Sequence, residues 1–292
     1  PHFFWGHLRA TTKPRGVNHV FQVTGRGALF LSDALAKHTE LNAVSLHHEQ
    51  SCAYAALSYT EQSGAIGACL VSTGCASTNT ITGVLSAWQD GVSCIFISGQ
   101  NVLKETIRHT KIALRTYGQQ EADIVSLVSP ITKFARMITK PTEIVEVLEH
   151  ALHAARTGRK GPVWIDIPLD LQSALIDPSN ISIPDLSSYT PQTVPKEQAI
   201  EKVANELVTA KRPVVLIGRG VRSAGAESKL RTFIDRWQIP LTYTASAPDS
   251  YGSANQLSIG SVGAMACSRA GNFTIANADY VLVLGSRLTP LT

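Results

Sequence analysis

The chain has 292 residues, 44% of them hydrophobic and only 16% charged, which is enough apolar material for a large core divided between about two domains. Its formal net charge of +4 comes from 26 basic against 22 acidic residues scattered along the sequence, with no basic run of the kind that tracks nucleic acid. The longest apolar runs, such as "PVVLIG" and "YVLVLG", fall far short of the roughly 20 residues that cross a bilayer, and five cysteines with no C-x-x-C spacing and no signal peptide point to reduced thiols in a cytoplasmic compartment.

From about residue 17 to residue 170, short apolar, β-branched runs alternate with helical patterns. "HVFQV", "NAVSL", "IGACLVS", "CIFISG" and "PVWIDIP" predict strands in that order. Their apolar character is continuous rather than alternating, so both faces should be covered, as in a parallel sheet packed between helices. The stretch "DPSNISIPDLSSYTPQTVPKEQ" is rich in Pro, Ser and Thr and carries no periodicity, which predicts a linker over 177–198 between domains at 1–176 and 199–292. Beyond it, "KEQAIEKVANELVTAKR" and "ESKLRTFIDRWQ" predict helices, and "PVVLIG" and "ADYVLVLGSR" predict strands. The expected fold class is therefore α/β, with two doubly wound parallel-sheet domains. The second ends at "GSRLTPLT" with no closing helix, so it is expected to be incomplete at its C-terminal side.

Three segments carry candidate chemistry. In "SLHHEQSCAYAALSY" an apolar run passes into a helix at Glu49. A carboxylate at a helix start is commonly a dipole or capping residue in solvent; set among Ala53, Ala55, Ala56 and Leu57, it is also prepared to share a proton. His47, His48 and Cys52 have partial metal-ligand spacing, but no second ligand pair accompanies them and no metal is assigned. In "VSTGCASTNTITGVLSAWQD" a strand runs through small residues into a helix, a turn that suits close approach of a polar or anionic ligand and equally suits a tight connection with no ligand. Cys75 stands at that helix start as a conceivable nucleophile, with no histidine assignable to it. "GRGVRSAG" at 218–225 has some of the glycine spacing of a dinucleotide loop, without its third glycine.

Taken together, the segments resemble the thiamine diphosphate-dependent enzymes of the acetohydroxyacid (acetolactate) synthase type. The resemblance runs in consistent order through "GVNHVFQVTGRGALFLSDAL", "HHEQSCAYAALSYTEQSGAIGACLVSTG", "STGCASTNTITGVLSAWQDGVSCIFISGQ", "GQQEADIVSLVSPITKFA", "ARTGRKGPVWIDIPLDLQ", "AKRPVVLIGRGV" and "ADYVLVLGSR". It implies a pyrimidine-binding domain followed by a central domain. It also implies that Glu49 is the glutamate that hydrogen-bonds the pyrimidine N1′ and promotes loss of the thiazolium C2 proton. Gly25, Gly27, Thr73, Gly74 and Asn79 would shape the cofactor cleft, and Gln100 and Gln120 would lie on the substrate side.

The departures from the family pattern are specific. Gln22 and Thr24 stand where relatives often carry Gly and Pro, Cys75 and Ala76 where many carry Pro and Gly, and Gln119 where a phenylalanine commonly precedes Gln120. No "GDG" segment of the kind that binds Mg²⁺ occurs, so Mg²⁺ ligands are not expected in this chain, and the ending lacks the acidic residues of flavin-binding relatives, which weighs against FAD without removing it. The resemblance implies decarboxylation of a 2-oxo acid such as pyruvate with carboligation, as a transferase or lyase. Its active site would form between subunits of a homodimer or homotetramer, this chain supplying the pyrimidine side. The alternatives are a non-catalytic oligomerising or nucleotide-binding module and, on "GRGVRSAG", an NAD-binding protein.

Overall fold

The computed structural model describes residue 6 and residues 16–177, 181, 183–186, 195–265 and 267–290; of the expected linker, 178–180, 182 and 187–194 lie outside the described residues. The chain divides into two compact units, Pro1–Gln192 and Thr193–Thr292.

In the first unit, six strands form one sheet: β1 (His19–Gln22), β2 (Asn42–Ser45), β3 (Gly67–Val71), β4 (Cys94–Gln100), β5 (Phe134–Met137) and β6 (Val163–Pro168). Their spatial order is β2-β1-β3-β4-β6-β5, and every pairing is parallel. All residues of β3, β4 and β6 are buried, which is why these strands read as unbroken apolar runs. Successive residues of β4 and β6 serve opposite faces. Ile95, Ile97, Val163 and Ile165 pack with Val145, Leu148 and Leu152 of the helix Ile144–Arg156 on one side. Phe96 and Trp164 pack with Ala53 and Ala56 of the helix Glu49–Ser63 and with Ile124 and Val128 of the helix Ile124–Val128 on the other.

The chain leaves β1 for β2 on one side and returns to β3 on the other, so the strand order reverses between β1 and β3. In open α/β sheets the connections diverge at such a point and leave a crevice at the carboxyl ends of the strands.

In the second unit, β7 (Pro213–Ile217), β8 (Leu241–Thr244), β9 (Ser258–Val262) and β10 (Tyr280–Leu284) form a parallel sheet in the order β10-β7-β8-β9, with a register shift at Leu241/Thr242. Its core gathers Val215, Ile217, Leu230, Ile234 and Leu241, and the helices Glu197–Thr209 and Glu227–Trp237 lie where helical spacing predicts them. Strands β5, β8 and β9 were not expected. β5, "FARM", is an edge strand with three half-buried residues and an arginine, and β8, "LTYT", and β9, "SIGSV", mix hydroxyls and glycine with their apolar residues, so none shows a continuous apolar run.

Candidate functional site

The residues singled out in the first unit meet at the carboxyl edge of its sheet. β2 ends at Ser45, and the helix Glu49–Ser63 begins four residues later. His48 caps that helix: its backbone is extended and its Nδ1 accepts from the Gln50 N–H at 3.2 Å. That bond accounts for a ring nitrogen that the sequence left open to a metal. Glu49 is the first helical residue, half-buried, with the positive end of the helix dipole behind it. Asn79, just past the one-turn helix Cys75–Thr78, donates from Nδ2 to Glu49 Oε2 at 2.9 Å. The carboxyl group is thus tied from the β2 side of the crevice to the loop that follows β3.

The alanines after Glu49 fix where that helix sits. A Cβ on Gly67 would overlap the Ala56 carbonyl, and one on Gly83 would come within 2.5 Å of the Ala53 Cβ. The helix therefore lies directly on β3 and on the helix Ile81–Asp90, an approach that larger side chains at Ala53 or Ala56 would block.

The two loops at the switch point are pressed together in the same way. Gly27 donates its N–H to Ser72 Oγ at 3.0 Å, and Thr73 Oγ1 occupies the place a Cβ on Gly27 would need. A Cβ on Gly25 would fall 2.6 Å from the Ser72 side chain. Gln172, buried at the end of the one-turn helix Leu169–Gln172 that follows β6, holds the same turn by donating to the Gly27 carbonyl at 2.6 Å. Gly74 has φ +64° and ψ −114°, and a Cβ there would strike the Gln120 carbonyl. Gln120 itself adopts a left-handed φ of +55°.

Gln100 is oriented inward. It ends β4 with 2% of its surface exposed; its Nε2 donates to Ala122 O and to Asp166 Oδ2, both at 3.1 Å, and its Oε1 accepts from Asn101 N at 2.9 Å. Both amide hydrogens and the carbonyl are therefore already paired. Asn101 extends the set by donating from Nδ2 to Gln119 O at 3.0 Å, while Arg26 donates to Gln119 Oε1 at 3.0 Å. Gln119 so links the loops after β1 and β4.

Asp166 is the group that sequence reasoning passed over. It pairs in register with Ser98 across β4 and β6 and is 2% exposed. Oδ1 accepts from Ser98 Oγ at 2.6 Å, and Ser98 Oγ in turn accepts from Trp164 Nε1 at 2.9 Å. Burial pushes the Asp166 carboxyl up to about 7, against the pull of its hydrogen bonds from Ser98 and Gln100. The available signal was a lone carboxylate inside the apolar run "PVWIDIP".

Elsewhere the geometry is plainer. Cys75 is exposed at the start of a four-residue helix, and all five cysteines are free thiols. In "GRGVRSAG" a Cβ on Gly218 would lie 2.5 Å from the Gly285 carbonyl, and Gly220 N donates to that carbonyl at 2.9 Å, so close packing of the loops after β7 and β10 accounts for these two glycines. Among the described residues, no group of three His, Cys, Asp or Glu side chains is placed to hold a metal ion, and no helix is long and apolar enough to cross a membrane.

Comparison with known proteins gives this geometry a context. Residues 7–127 match the family described as "Thiamine pyrophosphate enzyme, N-terminal TPP binding domain", and residues 200–292 match "Thiamine pyrophosphate enzyme, central domain". The acetolactate synthase large subunit of Lactococcus lactis is 31% identical over 277 residues, which is 95% of this chain and 47% of the relative. That of Corynebacterium glutamicum is 33% identical over 271 residues, 92% and 41% of the two chains, and the probable large subunit of Methanocaldococcus jannaschii is 34% identical over 277 residues, 94% and 45%. The chain spans less than half the length of each of these relatives.

Proposed function

Because the chain belongs to the thiamine pyrophosphate enzymes, with the N-terminal and central domains of that family, we propose that it supplies the pyrimidine side of an acetolactate synthase-like active site. The reaction would be decarboxylation of a 2-oxo acid such as pyruvate and formation of a carbon–carbon bond between the remaining unit and an acceptor. The observation that carries this reading is the place of Glu49: a half-buried carboxylate at the carboxyl edge of the sheet, held by Asn79, beside loops that glycine allows to close on one another.

These residues suit the aminopyrimidine end of thiamine diphosphate. Glu49 is an acceptor able to hold a proton on a ring nitrogen. Its Oε2 is oriented by Asn79, which leaves Oε1 for that contact. Gly25, Gly27 and Thr73 close one wall, and Gly74 with the Gln120 backbone forms another. When bound, the cofactor supplies the electron sink for decarboxylation, while the protein orients it and supplies the proton. Residues holding Mg²⁺ and the diphosphate would lie outside these 292 residues, in the part of the assembled homodimer or homotetramer that faces the pyrimidine side.

In the complete enzyme, Glu49→Gln keeps the size of the side chain and removes its ability to exchange a proton. Turnover of pyruvate is expected to fall by roughly 100-fold or more, in line with the loss of a positioned general acid–base group; a variant that retains near-normal turnover removes Glu49 from the chemistry.

A further inference from the structure

The buried set that runs from Trp164 through Ser98, Asp166 and Gln100 to Asn101 is given no role in the proposed function. Trp164 and Asp166 lie two apart on β6 and Phe96, Ser98 and Gln100 two apart on β4, so all five share one face of the sheet. The Phe96 and Trp164 rings stack at 5.5 Å and seal its inner end. At its outer end the set leaves the sheet at two points, Gln100 Nε2 to Ala122 O and Asn101 Nδ2 to Gln119 O. These backbone acceptors flank Gln120, whose left-handed backbone presses on Gly74.

We infer that Asp166 is a positioning residue: by fixing which way the Gln100 amide faces, it sets the 117–122 segment that walls the crevice at Gly74. The donor and acceptor pattern requires it. Asp166 Oδ2 can only accept from Gln100 when that carboxylate oxygen carries no proton, so Nε2 must face it, and Oε1 is left facing the Asn101 N–H. An amide turned the other way would set Nε2 against that N–H and withdraw the donor from Ala122 O. Burial keeps water from standing in for either partner. The anchoring stands on these contacts alone, and the proposed function enters only in saying what the crevice holds.

The test is amide hydrogen exchange on this chain, which needs no cofactor and so fails or succeeds independently of the Glu49 experiment. Within 117–122 the Tyr117 and Gly118 N–H groups donate to Glu121 Oε2, which makes them local reporters. Asp166→Asn leaves one acceptor where the carboxylate had two, so either Gln100 Nε2 or the Ser98 hydroxyl loses its partner, and exchange over 117–122 is expected to rise at least about tenfold while β4 and β6 stay within about twofold. Gln100→Met cuts the same path from the other side and should produce the same local rise. It also decides the matter should Asp166→Asn fail to fold. Combining the two should add nothing to either alone, as for residues acting along one path. Unchanged exchange over 117–122 in Gln100→Met, or an equal rise across β4 and β6, would overturn the inference, since Asp166 would then support the sheet and not the segment.

Discussion

At the scale of single residues, the site depends on side chains that are absent as much as on those present. Glu49 has a direct partner in Asn79, but its surroundings are set by glycines whose missing Cβ atoms let three loops touch. Gly74 is the most demanding of these, because its positive φ is unfavourable for any side chain and the space a Cβ would fill already holds the Gln120 carbonyl. Gly74→Ala is expected to destabilise the chain by about 1–3 kcal/mol in urea unfolding, the range for forcing an extra methyl into packed structure. A loss below about 0.5 kcal/mol, typical of an unremarkable surface change, would mean that the two loops do not depend on this approach.

At the scale of elements, β4 and β6 combine a fully buried apolar sheet with one buried carboxyl group, and that combination has a pH signature. Asp166 in the folded chain holds its proton up to about 7, whereas an unfolded aspartate releases it near 3.8. Between those values the folded state binds more protons than the unfolded state, so this group's contribution to stability declines as pH rises across the window and is level above it. Asp123 raises the Asp166 value and Arg108 lowers it, so both charges belong to the same balance. Asparagine at 166 does not titrate. The urea midpoint of Asp166→Asn, compared with that of the parent chain, should therefore shift in the variant's favour between pH 4.5 and pH 8, by at most about 4 kcal/mol in stability. A difference that stays constant with pH would show that Asp166 is ionised in the fold throughout.

The same strands show what a sequence can and cannot convey. β3, β4 and β6 were legible because burial on both faces demands apolar residues at every position, whereas β5, β8 and β9 lie at edges or carry hydroxyls and a glycine and leave no such run. The start of the Glu49 helix was legible in the carboxylate and the alanines after it, whereas the capping role of His48 was not. The tie from Asn79 was not, since nothing in the spacing of positions 49 and 79 says that they meet. Asp166 stood in view as a carboxylate in an apolar run, yet its partners lie 66 and 68 residues away and are set by strand pairing rather than by local sequence.

At the scale of the whole molecule, the chain carries two parallel α/β units that match the N-terminal and central domains of thiamine pyrophosphate enzymes, and it covers 41–47% of the length of the synthase subunits it resembles. The proposed function turns on one proton, which Glu49 would hold at the pyrimidine end of the cofactor. The most direct measurement is the rate of hydrogen–deuterium exchange at C2 of thiamine diphosphate bound to the complete enzyme, by quenched-flow NMR, for the parent protein and for Glu49→Gln. The account predicts a slowing of at least about 100-fold with the cofactor still bound; exchange at the parent rate would contradict it.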